Sequence, residues 1–203
     1  MRVLLKETLD CTPDAAWRAI HSPAVFREVS SPVMTVESLE ADGFPTTWEP
    51  GEHPVAMRGL GLVPLGMQVI RLSETTLRQG TPRSGAAGSS PATGTGAGTV
   101  RILRDTGRGI SGSMTAVTHW DHRMAIAADP DHPGKTLYRD QLIFRAGHAT
   151  LAVWPGFWVF WQWRMAQIKR LAPTWRFDLG VDVETGTSTG TDTDPDAVAN
   201  VTP

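Results

Sequence analysis

The chain has 203 residues, 40% of them hydrophobic, and a formal net charge of −2, which suits one domain with a proper core. Lysine and arginine are scattered and not gathered into the basic stripe that nucleic acid requires, so no nucleic-acid partner is expected. A single cysteine, Cys11, excludes an internal disulfide framework and fits a reducing, cytoplasmic setting, and residues 1–10 alternate in polarity where a signal peptide is continuously apolar.

In chain order, residues 2–9 alternate as a strand, with Val3, Leu5 and Leu9 on one side. Thr12-Pro13 then supplies an N-cap followed by proline at the first helical position, with Asp14 where the helix dipole favours an acid. That helix ends at His21-Ser22-Pro23, and a second short helix carries Val25, Phe26 and Val29 inward. Six more strands follow, over 33–39, 55–60, 67–74, 100–106, 113–126 and 136–145, separated by Gly and Pro turns. Residues 79–99 are rich in Gly, Ser, Ala and Thr with one charge, Arg83, and read as a flexible insert in a hairpin connection. The run Gly94-Thr95-Gly96-Ala97-Gly98 inside it lacks the strand and helix of a nucleotide-binding loop, and no cofactor is expected.

From Leu151 to Ala172 the pattern is one long helix, apolar nearly all round in its first half and carrying Arg164, Lys169 and Arg170 toward its C-terminal end. Its apolar part is too short to span a membrane, which takes roughly 20 residues. Residues 178–203 hold six of the 21 acidic residues and none of the 19 basic ones. They read as a disordered acidic tail on a domain covering 1–177.

The order of strand, two short helices, six antiparallel strands and long terminal helix resembles the START-like superfamily, also called SRPBCC or polyketide cyclase/dehydrase-like. The phrase Leu9-Asp10-Cys11-Thr12-Pro13-Asp14-Ala15-Ala16-Trp17 is similar to that superfamily's first strand and helix entry. Trp154-Pro155-Gly156-Phe157-Trp158, continuing to Trp161-Gln162-Trp163-Arg164, is similar to the closing helix of an uncharacterised bacterial branch. The resemblance implies an α+β helix-grip fold, a curved seven-stranded antiparallel sheet wrapped around the long C-terminal helix, with a cavity between them. Binding or carriage of a small hydrophobic molecule is the function it implies, with no catalysis assumed.

Pairing Ile126 with Thr136 across the last hairpin sets His122 opposite Asp140, Met124 opposite Tyr138, Trp120 opposite Leu142 and Thr118 opposite Phe144, all on the inner face. The expected ligand-contacting set is therefore Trp120, His122, Met124, Tyr138, Asp140, Leu142 and Phe144 from the sheet, with Phe157 and Trp161 from the helix. His122, Asp140 and Tyr138 are candidates for general acid/base work in a cyclase or dehydratase-type enzyme; the plainer reading is a buried histidine satisfied by its neighbour. His119 and His122 spell a metal-like spacing, yet on a strand they point oppositely, so no metal is expected. Trp154, Trp158 and Trp161 fall on one helix face with Phe157 and Met165 and are expected to cover the sheet. A third reading makes the Trp-rich helix a docking site for a membrane surface or partner, helped by Arg164, Lys169 and Arg170.

Overall fold

The first strand, β1 (Arg2–Leu9), buries Val3 and Leu9 and half-buries Leu5, as its period-two polarity dictates. The structure is a computed structural model that describes residues 1–78 and 98–175. The acidic tail and all but the last two residues of the 79–99 insert lie outside the described residues. Thr12 caps α1 (Pro13–Ile20) by accepting from the Ala15 amide at 3.3 Å, and Ser22 caps α2 (Pro23–Ser30) by accepting from the Val25 amide at 3.3 Å. Both helices open on proline, where the missing N–H would have had no partner.

The remaining strands are β2 (Met34–Ser38), β3 (Gly51–Gly59), β4 (Val63–Arg78), β5 (Thr99–Asp105), a two-residue β6 (Arg108–Gly109), β7 (His119–Ala128) and β8 (Thr136–Arg145). They form one antiparallel sheet in the order β1-β8-β7-β5-β4-β3-β2, with β6 paired to β4. The long helix α3 (Thr150–Leu171) lies across it and buries Trp161, Arg164, Met165, Ile168 and Leu171 at helical spacing. The helix-grip arrangement expected from the element order is present, with β6 as a strand beyond the seven.

Between Met57 and Arg58 the β3–β4 register slips, so that Leu65 is an extra residue beside Gly66 at φ +117. Such a bulge bends its strand and increases the local twist. Gly66 also lets another segment come close, because a Cβ there would sit 2.1 Å from the Ser111 carbonyl oxygen. That close approach corrects the strand expected over 113–126. Gly112 turns at φ +60, residues Gly112–Ala116 form a 3-10 turn against β4, and the strand starts only at His119.

The last hairpin also departs from its expected register. Met124 pairs with Asp140 and His122 with Leu142, two residues from the expected alignment. Asp129 causes the shift: its carboxylate accepts from the amides of Asp131 and His132, and its own amide donates to the Lys135 carbonyl at 3.0 Å. The turn is thereby tightened and Ala128 pairs with Thr136. A slip of two keeps every side chain on its face, so Trp120, His122 and Met124 still share the inner side with Tyr138, Asp140, Leu142 and Phe144.

Two glycines should respond oppositely to alanine. Gly66→Ala meets backbone and should lower stability by more than about 2 kcal/mol. Gly156→Ala, on α3 with nothing within 4 Å of the added carbon, should raise it by about 0.5–1 kcal/mol. Urea unfolding of the two variants checks the pair.

Candidate functional site

β8 turns Tyr138 and Asp140 inward at 0% and 1% exposure, and α3 lays Trp161 and Arg164 over them. Asp140 gathers four donors. His122 Nε2 and Trp161 Nε1 donate to Oδ1 at 2.8 and 2.9 Å, the Tyr138 hydroxyl donates to Oδ2 at 3.0 Å, and the Arg164 guanidinium forms an ion pair with Oδ2. Arg164 also points a nitrogen at the Met124 sulfur, 3.2 Å away. Burial pushes Asp140 up. The adjoining Arg164 and His122, with the His122 and Trp161 hydrogen bonds, outweigh it and hold the carboxyl well below the usual carboxylate range. Burial and the Asp140 charge together push Tyr138 up, so it stays a neutral donor.

Because Asp140 is ionised and can only accept, Nε2 of His122 carries the proton. In the neutral ring Nδ1 is then an acceptor, with no hydrogen-bond partner among the described residues. Across β5–β7, Asp105 is the residue paired with His122. Its carboxyl accepts from the Arg71 and Gly107 amides at 2.9 and 2.8 Å and from Trp120 Nε1 at 2.8 Å. Burial raises its pKa, with His122 and these N–H groups opposing the rise.

Beside this network lies a cavity of about 440 Å³ between the sheet, α2 and α3. Its wall is built mainly from aliphatic and aromatic side chains, among them Val29, Val36, Val55, Leu72, Leu103 and Phe160, and polar side chains enter through Gln68, Asp105, Arg108, Ser113, His122 and Arg164. Exposed residues of the 3-10 turn and of α3, including Ser113, Ala116, Ala152 and Gly156, belong to the same wall and mark the mouth.

Of the residues singled out from the sequence, Trp120, His122, Met124, Phe157 and Trp161 line this cavity. Tyr138, Asp140, Leu142 and Phe144 face inward but lie outside its lining, Leu142 and Phe144 packing with Val3 and Trp161 in a second core cluster. His119 is exposed and His122 buried, on opposite faces. Trp158 departs from the expected helix face: it is 44% exposed, because Trp161, Met165 and Ile168 set the buried stripe and Trp158 falls off it.

Arg164 was grouped with the solvent-facing cations of the helix end and is instead buried. The signal that finds it is periodicity, since it stands three residues after Trp161 and four before Ile168. Lys169 and Arg170 are occupied at the helix surface, Lys169 on Glu7 at 2.7 Å and Arg170 on Gln167 at 2.9 Å and Glu28 at 3.9 Å. Gln68 and Asp105 were missed because a single polar residue in an alternating strand looks the same whichever face it takes.

Known proteins resemble this architecture. Over 85% of the chain it aligns with 96% of protein CV1439 from Chromobacterium violaceum, at 15% identity and a TM-score of 0.52. Over 84% it aligns with 89% of protein Ms6760 from Mycobacterium smegmatis, at 12% identity and 0.52. The chain has a START-like, helix-grip fold. A Zhui aromatase/cyclase from Streptomyces also aligns, at 11% identity and 0.49 over 85% of this chain and 93% of that one; the activity in its name is that protein's. No protein-family model matches the sequence, and no curated protein does. Among the described residues no helix is long and apolar enough to cross a membrane.

Removing one partner of a buried ion pair strands the other charge, so Arg164→Ala should lower stability by about 3–5 kcal/mol. The double variant Asp140→Asn/Arg164→Met should lose much less than the two single changes added together, measured as a double-mutant cycle by urea unfolding.

The depressed pKa of Asp140 sets a sign. Its stabilising contribution is complete above the unfolded carboxyl value of about 3.9 and is lost as pH falls through the folded value. The stability gap between the wild type and Asp140→Asn should therefore begin to narrow as pH falls below about 4.

Proposed function

We propose that the protein binds a small hydrophobic molecule in this cavity, as a carrier or sensor of it. The observation that carries the reading is the cavity itself: a volume within the roughly 300–1,000 Å³ of small-molecule sites, mainly apolar walls, and a few polar groups among them. An apolar body gains about 25 cal/mol for each Å² it removes from water against such walls. The polar side chains then fix its orientation. His122 Nδ1 in the neutral ring complements a hydroxyl at one end of the ligand, and the Gln68 amide takes either a donor or an acceptor.

A second reading is favoured by one feature of the same geometry. An imidazole whose Nε2–H is held by a carboxylate, whose Nδ1 has no hydrogen-bond partner among the described residues, and whose side chain lines an apolar cavity is arranged as a general base. In that reading the protein would catalyse a cyclase or dehydratase-type proton transfer, with His122 taking the proton and Asp140 orienting the ring.

Nile red titration of the purified protein, with mass spectrometry of its organic extract, tests the binding reading. Nile red should bind, and Val36→Phe, which adds volume to the wall, should weaken it at least tenfold while leaving the fold intact by circular dichroism. If Nile red does not bind the wild-type protein, or binds the Val36→Phe variant equally well, the reading fails. Recovery of an extracted molecule chemically altered by the wild type but unaltered by His122→Gln would shift the assignment to the enzyme.

A further inference from the structure

Residues 59–67, 109–118 and 146–163 contain no Asp, Glu, Lys or Arg. They are distant in sequence, and the fold ties them together. The Ser113 hydroxyl donates to the Leu65 carbonyl and the Ile110 amide to the Met67 carbonyl, each at 2.8 Å. The Thr118 amide reaches the Arg145 carbonyl, next to the third stretch, at 2.8 Å. Leu65, Met114, Ala152 and Gly156, drawn from all three, line one cavity, so these uncharged stretches are its rim. The rim turns large apolar side chains to solvent: Leu60 is 66% exposed, Leu62 82%, Val63 57%, Ile110 45%, Leu151 71% and Val159 56%.

The tip of the β3–β4 hairpin shows that one of these side chains, that of Leu60, does not serve the fold. Leu60 and Gly61 both have positive φ, +51 and +71, and the Leu62 amide closes the turn on the Gly59 carbonyl at 3.0 Å. This is a type I′ turn, whose first central position favours Asn, Asp or Gly. A leucine is strained in that conformation. At 66% exposure its side chain gains little packing in return.

Charge completes the pattern. An arginine immediately precedes each uncharged stretch: Arg58, Arg108 and Arg145. All three are exposed. Arg58 and Arg145 make no ion pair among the described residues, and Arg108 shares Glu52 with Arg71. Met57 lines the cavity and Phe144 is fully buried, so strand alternation puts Arg58 and Arg145 on the outer face, one residue behind the apolar rim. An apolar edge backed by exposed arginines, of which Arg58 and Arg145 make no ion pair among the described residues, matches the boundary of an anionic bilayer, where acyl chains lie beneath negatively charged phosphates.

We propose that this rim docks the protein on an anionic membrane surface, with the cavity mouth facing the lipid. Docking rests on the rim alone; its use for exchanging a hydrophobic ligand rests on the binding reading above. The surface shares the Trp-rich helix with the one expected from the sequence but takes other cations, because Lys169 and Arg170 are paired and the arginines that matter precede the rim segments.

The test is co-sedimentation of the full-length protein with phosphatidylcholine vesicles, with and without phosphatidylserine. The wild type should bind the phosphatidylserine vesicles more tightly, Leu62→Asp should bind at least tenfold less, and Arg58→Glu or Arg145→Glu about fivefold less on the anionic vesicles. Lys169→Glu/Arg170→Glu should bind as the wild type does. Leu60→Asn separates docking from folding, since it relieves the turn and should melt at the wild-type temperature or above while binding vesicles more weakly. Nile red titration of the same variants separates docking from the cavity: Leu62→Asp should keep Nile red, and Val36→Phe should keep the vesicles. Docking is overturned if the wild type sediments with neither vesicle, if Leu62→Asp binds like the wild type, or if sedimentation velocity shows a dimer that Leu62→Asp dissociates, which would make a second copy the occupant.

Discussion

The carboxylate of Asp140 constrains the rest of the structure. An anion at 1% exposure faces a desolvation penalty of several kcal/mol, and only close, well-directed donors offset it. Two of the four donors, Trp161 and Arg164, come from α3, three residues apart and on one helix face. The helix can satisfy Asp140 at one rotation and one position along the sheet. Moved by a single residue, it would bring neither Trp161 nor Arg164 to the carboxylate. Apolar packing under α3 tolerates sliding far better, because a leucine or methionine fits many neighbours. The ion pair therefore supplies register where the apolar contacts supply most of the adhesion.

That fixed seat also explains where the cavity lies. Over β7 and β8 the space beneath α3 is bridged by the Asp140 network and by Phe144, Leu142 and Trp161. Over β3, β4 and β5 the inward residues Val55, Ile70, Leu72 and Leu103 line the cavity instead, on a sheet bent at the Leu65 bulge. Asp105, His122 and Trp120 stand at the border between the two halves. His122 and Arg164 bring the edge of that network into the cavity wall, while Gln68, Arg108 and Ser113 enter it from β4, β6 and the 3-10 turn.

Periodicity made most of this architecture legible. β1 and β8 have the bounds the alternating polarity indicates, and Thr12 and Ser22 cap helices that start as the Thr-Pro and Ser-Pro pairs require. The inner face of the last hairpin was readable although its register was not, since a shift of two residues preserves the face while the pairing depends on the hydrogen bonds of Asp129. The 3-10 turn at Gly112–Ala116 was hidden in an alternating run, because what breaks the strand there is close contact with Gly66, 46 positions before Gly112 in the chain. Arg164 was misread for a related reason. Charge near a helix C-terminus has a local explanation in the dipole, and its real partner on β8 becomes visible only once the helix has been placed.

The same accounting of donors and acceptors limits what chemistry the site can support. A carboxylate has about four acceptor positions, and His122, Trp161, Tyr138 and Arg164 fill those of Asp140. To take a proton from a bound molecule it would have to release one of these donors inside a buried site, and the neighbouring guanidinium already holds its basicity far down. Asp105 is engaged by three N–H groups. His122 is different: one ring nitrogen is committed to Asp140, and the other has no hydrogen-bond partner among the described residues while the side chain lines the cavity. In the proposed readings, orientation of a ligand would draw on that atom together with the Gln68 amide, and removal of a proton from it would pass through that atom. Asp140 contributes to either by fixing the tautomer, and so the tie that seats α3 also decides which face of the imidazole the cavity receives.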